Sequence, residues 1–132
     1  LVAEAGAEWW GAQSDMPAVY RAATIVCLPS YREGVPKALI EAAACGRPLV
    51  STDVPGCREI CRDGISGVLV PPRDATALAR ALTELLGDAA RMKTLGKGAR
   101  ALAESTFGAE AIHAQTLACY ARLGVTPAGG NI

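Results

Sequence analysis

The sequence predicts an α/β domain: a parallel sheet covered by helices on both faces. Two patterns carry that reading. The runs TIVCLPS (24–30), RPLVSTD (47–53) and SGVLVPP (66–72) are apolar without alternation, as strands buried between two layers are. Helical stretches separate them, and strand–helix alternation is the pattern of parallel strands joined by helical crossovers.

The elements follow in chain order. AEWWGA (7–12) is a candidate strand ending at Gly11, which would send Trp9 and Trp10 to opposite faces and one of them into the core. SDMPAVYRAA (14–23) opens with the cap-type residues Ser14 and Asp15 and carries Pro17 in its first turn, so it reads as a short helix. The 24–30 run is β-branched and stopped by Pro29. PKALIEAAAC (36–45) places Pro36 where a first helical residue sits and ends at Gly46. After the 47–53 strand, VPGCREICRDG (54–64) reads as a turn, a short helix and a second turn. The 66–72 strand ends in two prolines. DATALARALTELLG starts at the cap Asp74 and sets Leu78, Leu82 and Leu85 on one face. AARMKTLGKGARALAESTF sets Met92, Leu95, Ala99 and Leu102 at helical spacing, weakened by Gly96 and Gly98. AEAIHAQTLACYARLG aligns Ile112, Thr116, Cys119 and Leu123. Residues 1–124 are expected to form the domain and 125–132 a flexible tail.

Composition narrows the function classes. The 13 basic and 13 acidic residues balance, which argues against nucleic-acid binding driven by counterion release. Cys27, Cys45, Cys57, Cys61 and Cys119 are an odd number with no CxxC spacing, and His113 is the single histidine. That set fits neither a zinc site nor a secreted disulfide framework, so a reducing, cytoplasmic setting is expected. Cys57 and Cys61 read as small buried or half-buried thiols. His113 reads as a solvent-facing or partly packed residue of a late helix. No apolar run reaches the ~18 residues of a membrane span. The chain opens without Met on a helix-like tail, so a piece of a larger protein is expected.

Chemistry concentrates in YREGVPKALIEAAACGRP (31–48). A loop leaves the carboxyl end of a strand and enters a helix, and ligands of open parallel sheets bind beyond those strand ends. A helix N-terminus offers free amides and partial positive charge, which suits a phosphate. Pro36 donates no N–H, so Val35, Lys37 and Ala38 would serve. Gly34 lets the backbone approach a ligand. Glu33 lies just outside the helix and Glu41 just over a turn inside it. A carboxylate can grip two vicinal hydroxyls. Two of them around a phosphate site match a ligand with phosphate in the middle and polyols at both ends, as in a nucleotide sugar. The spacing alone equally allows a bland reading: glutamates favoured by the helix dipole, with Lys37 and Glu41 as a surface i,i+4 pair. Glu59 reads as a helix-start residue and Asp53 as a turn former.

A longer pattern favours the ligand reading. Pro29-Ser30, Glu33 to Glu41, Ala44-Cys45-Gly46-Arg47-Pro48, Gly56-Cys57-Arg58-Glu59 and Gly67-Val68-Leu69-Val70-Pro71 occur in one order. This resembles the donor-binding domain of retaining GT-B glycosyltransferases, group 1 or family 4 type, over roughly residues 7–123. The resemblance implies a Rossmann-like sheet, the C-terminal half of a GT-B fold, truncated at its N-terminus. It implies that Glu33, with Gly34, Val35 and Pro36, meets the donor sugar, that Lys37 and Ala38 lie at the diphosphate, that Glu41 holds the ribose, and that Trp10, Gly11 and Ala12 lie beside the base. Many relatives have an aromatic-Gly pair where this chain has Val35-Pro36. The EGVPKALIEA form is closer to bacterial polysaccharide and lipid-linked oligosaccharide transferases.

The resemblance also implies a UDP- or GDP-sugar donor, no metal or other cofactor, and an acceptor domain preceding residue 1, through which any peripheral membrane contact would run. Arg32, Lys37, Arg47 and Arg58 match neither the Arg nor the Lys that neutralise the diphosphate in the family. The isolated chain is therefore expected to bind nucleotide weakly and not to transfer sugar. A non-catalytic nucleotide-binding or assembly module is the alternative, with two copies pairing through an open sheet edge. A sugar-nucleotide epimerase shares the fold, and the Glu33–Glu41 motif argues against it.

Overall fold

The computed structural model describes residues 4–124 of the 132. The expected tail at 125–132 lies outside the described residues. Three parallel strands, β1 (Val26–Leu28), β2 (Leu49–Thr52) and β3 (Gly67–Val70), lie in the order β1-β2-β3. The register pairs Val26 with Leu49 and Leu49 with Gly67. Helices α1 (Met16–Ala22), α2 (Lys37–Ala44), α3 (Pro55–Arg58), α4 (Ala75–Leu86), α5 (Ala89–Leu102) and α6 (Ala109–Arg122) complete the domain.

The two-sided core expected from apolar strands is present. Leu49 packs on one face with Tyr20, Leu39, Ala42, Cys57 and Ile60, and Leu102 closes that side. Val50, the next residue, packs on the other face with Val70, Ala77, Ala81, Leu85 and Leu95. Alternate residues of one strand thus reach both layers. Cys57 and Cys61 are buried free thiols, as expected, and burial pushes the Cys61 thiol up to about 12.

Several element ends are set by local chemistry. Asp15 accepts from the Ala18 amide and Asp74 from the Ala77 amide, so both act as N-caps. Helix α2 ends in a Schellman motif: the Gly46 amide bonds Ala43 O at 2.8 Å and the Arg47 amide bonds Ala42 O at 3.1 Å. Gly46 has φ of 69°, which a side chain would resist.

Four expectations are corrected. Residues 7–12 form no strand, and both Trp9 and Trp10 are exposed, at 84% and 56%. A strand exists only with a ladder partner, and among the described residues β1 pairs with β2 alone. Pro36 is the N-cap of α2, with extended ψ of 114°, rather than its first helical residue. The α5 helix gives way after Leu102 to a π-helical turn at Ala103–Phe107. Helix α6 has no buried residue, and Ile112 and Leu123 of its expected face are exposed; His113 is exposed too, as expected.

This layering predicts unequal mutational costs. Leu49→Ala, at a fully buried position in the middle strand, should destabilise by about 3 kcal/mol in urea unfolding. Ile112→Ala on α6 should change stability by no more than about 0.5 kcal/mol.

Candidate functional site

The 29–41 segment lies at the carboxyl end of β1, where an open parallel sheet binds ligands. Strand β1 ends at Leu28, and the chain crosses a loop before α2 begins at Lys37. The first amides of a helix have no intrahelical acceptor. No side chain caps them here, because the N-cap residue is Pro36. The amides of Lys37 and Ala38 therefore face outward from the start of an eight-residue helix with its positive dipole end.

The two glutamates flank that helix start, and each is held by a hydroxyl. Ser30 Oγ donates to Glu33 Oε1 at 2.7 Å across the loop. Tyr20 OH, reaching from α1, donates to Glu41 Oε2 at 3.2 Å. Lys37 Nζ stands 3.4 Å from Glu41 Oε1, with its own side chain 87% exposed. The surface pair weighed from spacing is therefore real, and an exposed pair of this kind is worth little energetically. Both glutamates are half-buried, and each has one oxygen bonded to a hydroxyl.

Tyr20 was not legible as a site residue in the sequence. Its place one α1 turn beyond Pro17 gives it core spacing, and its ring is indeed buried. The hydroxyl is the part that matters for Glu41. Burial first, then the hydrogen bond and charge of Glu41, raise the Tyr20 pKa above its ordinary value.

The turns after the other two strands meet this loop. Thr52 Oγ1, at the end of β2, donates to the Ser30 carbonyl. Gly56 in α3 lies directly against the Glu33–Gly34 peptide. Arg73, before α4, places its guanidinium 5.3 Å from the Tyr31 ring centroid. Arg73 has φ of 63°, an uncommon conformation for a residue with a side chain. A cavity of about 370 Å³ opens among Pro29, Tyr31, Thr52, Val70, Arg73 and Leu78 at the ends of all three strands. The loop carries Tyr31 into it; neither glutamate lines it.

Other residues fall into plainer roles. Asp53 pairs with Arg58 Nε at 2.5 Å, and that hydrogen bond holds its carboxyl below the usual range. Glu59 is the C-cap of α3 rather than a helix-start residue. Trp10, Gly11 and Ala12 are exposed; the Trp10 indole donates to Glu8 at 2.9 Å, a local contact. Among the described residues, no three His, Cys, Asp or Glu side chains are grouped to hold a metal. No described helix is long and apolar enough to cross a membrane.

Residues 2–88 match the family model for glycosyl transferases, group 1. The chain belongs to this family. The matched residues include both glutamates, the Gly46 turn, Gly56 and β3. A D-inositol 3-phosphate glycosyltransferase of Salinispora tropica is 48% identical over 86 residues, 65% of this chain and 18% of that protein. One from Streptomyces bingchenggensis is 40% identical over 109 residues, 83% of this chain and 24% of that protein. The chain thus spans about a fifth to a quarter of these curated relatives.

Solved structures agree with the family. Sucrose-phosphate synthase from Thermosynechococcus elongatus is 40% identical with a TM-score of 0.74, over 80% of this chain and 27% of that one. Anabaena HepE in complex with UDP gives a TM-score of 0.84 at 25% identity, over 90% of this chain and 33% of that one. The expected fold class holds: a parallel sheet between helical layers, as in the GT-B glycosyltransferases.

The Tyr20–Glu41 bond predicts a pH effect. A raised folded pKa means that the stability Tyr20 adds is present below its unfolded value of 10.0 and is lost as pH rises through the folded value. Unfolding free energies of the unaltered protein and Tyr20→Phe should therefore change their difference above pH 10 and keep it constant between pH 7 and 9.

Proposed function

We propose that this domain binds the nucleotide-sugar donor of a retaining glycosyltransferase. In the whole enzyme a sugar would pass from a nucleotide diphosphate to an acceptor hydroxyl with its anomeric configuration kept. The observation that carries the reading is the arrangement at the start of α2: uncapped amides with a hydroxyl-anchored carboxylate on each side. Phosphate oxygens suit the amides, and vicinal hydroxyls suit the carboxylates.

In this reading Glu41 holds the ribose, and Lys37 and Ala38 meet the diphosphate. Glu33, with the Gly34–Pro36 backbone, meets the sugar. Trp10, Gly11 and Ala12 would approach the base. Tyr20 orients Glu41 and leaves its second oxygen for ligand and Lys37. The helix dipole stabilises the departing diphosphate without a metal. The HepE structures hold UDP in one case and UDP-glucose in another, which favours a UDP-sugar donor. Curated relatives named D-inositol 3-phosphate glycosyltransferases favour a polyol hydroxyl as acceptor, and synthesis of a cell-surface glycan or glycolipid is the wider setting we assign. The acceptor would be held by a separate domain, on the cytoplasmic side of the membrane. The family-4 assignment rests on the Glu33–Glu41 motif.

Two measurements test these points. In calorimetric titration, UDP should bind with a millimolar or lower Kd, and Glu41→Ala should weaken it about tenfold, as expected for a hydrogen bond to a charged group. Absent binding, or binding indifferent to Glu41→Ala, overturns the ribose assignment. The free outer edge of β1 should let two copies pair, giving a dimer on gel filtration; elution as a monomer counts against that pairing.

A further inference from the structure

The Glu33 loop has almost no structure of its own. Among the described residues, no backbone–backbone hydrogen bond involves residues 31–35. Tyr31, Arg32, Gly34 and Val35 are exposed, and only Glu33 is half-buried. The Ser30–Glu33 hydrogen bond is internal to the segment, so it fixes the carboxylate relative to the loop but not the loop relative to the sheet. The height and tilt of Glu33 must therefore be set by contacts from outside.

Those contacts come mainly from the last residue of β2 and the segment that follows it. Thr52 is 2% exposed, and its hydroxyl donates to the Ser30 carbonyl at the entry to the loop. Gly56, likewise buried, lies under the middle of the loop. A methyl group added there would stand 1.6 Å from the Gly34 carbonyl oxygen and 2.4 Å from that of Glu33. Only a bare Cα permits that approach. Val54 and Cys57, on either side of Gly56, are anchored in the core. The segment is therefore rigid from below, while the loop above it is not. Arg73 over Tyr31 adds an outer contact from the β3–α4 turn.

We propose that Thr52 and Gly56 are positioning residues that set where the Glu33 carboxylate meets the donor sugar. This rests on the assignment of Glu33 to that sugar. Neither residue need touch the ligand: Thr52 fixes the start of the loop and Gly56 fixes the peptide on which the Glu33 side chain pivots. Loosening either should cost the sugar contact and spare the ribose contact, because Glu41 sits on α2 and is held separately by Tyr20. Gly56 belongs to the Gly-x-x-Glu stretch, and this contact gives that glycine a reason that does not involve Glu59, which lies at the other end of α3.

Gly56→Ala can disrupt folding outright, so Thr52→Val carries the test. It keeps shape and removes the hydroxyl, and Thr52→Ser restores it. The unaltered chain, both Thr52 variants and Glu33→Gln would be titrated with UDP and with UDP-glucose, with thermal unfolding as a fold check. Thr52→Val should lose about fivefold more affinity for UDP-glucose than for UDP, in line with one loosened hydrogen bond. Thr52→Ser should recover the difference, and Glu33→Gln should show a loss of the same kind. Equal or absent losses in Thr52→Val, with the UDP-glucose preference removed by Glu33→Gln, overturn the positioning role and leave the donor site standing. A chain that binds neither ligand, shows no preference for UDP-glucose, or keeps its preference in Glu33→Gln overturns the sugar assignment of Glu33 and the positioning role with it.

Discussion

Strand β2 is enclosed on every side. Its four residues are all buried, with β1 and β3 on its edges and a helical layer on each face. Leu49 and Val50 point to opposite layers, so this short strand ties the two halves of the core together. The hydroxyls of Ser51 and Thr52 cannot reach water from there, and an unmet buried hydroxyl is costly. Both are satisfied by the backbone that leaves β1: Ser51 Oγ donates to Leu28 O at 2.8 Å, and Thr52 Oγ1 donates to Ser30 O. The need to satisfy two buried hydroxyls thus fixes the exit of β1, and the exit of β1 carries the site.

Hydroxyl-to-carboxylate contacts then take over from the sheet. Ser30 and Tyr20 each hold one oxygen of a glutamate, from a loop and from a neighbouring helix. A donor hydroxyl aims the carboxylate and occupies one of its oxygens. Helix α2 is finished differently at its two ends. A capless proline leaves its first amides free, while the Schellman turn closes its last carbonyls. Arg100 Nη1 adds a bond to Ala44 O at 2.7 Å, from a helix far along the chain. The N-terminal end is open and the far end is sealed.

The family match spans both glutamates and helix α2, and this chain is a part of the length of the relatives it matches. The chain covers less than a third of the relatives compared by sequence and at most a third of the HepE and sucrose-phosphate synthase structures. The strand-end cavity beside Tyr31 and Arg73 and the unburied helix α6 are surfaces that this set of contacts does not close. The group 1 family match spans the loop and helix α2 that carry both glutamates.

The sequence by itself determined the layer plan and marked out the candidate site. Apolar runs without alternation require cover on both faces, and proline, glycine and aspartate mark element ends through local backbone chemistry. Local rules of this kind placed α1, α2, α4 and all three strands within a few residues, and put Glu33 and Glu41 on either side of a helix start. What depends on distant contacts was decided only by tertiary structure. The WW segment had strand composition, yet a ladder needs a partner that composition cannot supply, and both tryptophans stand exposed. The apolar positions of α6 had helical spacing but met no facing surface among the described residues. Tyr20 carries no site signal in sequence, and only the packing of α1 beside α2 brings its hydroxyl to Glu41, 21 residues away. Gly56 reads as a turn glycine, and only the packing of α3 against the loop after β1 shows that its missing side chain is the space occupied by the Gly34 peptide.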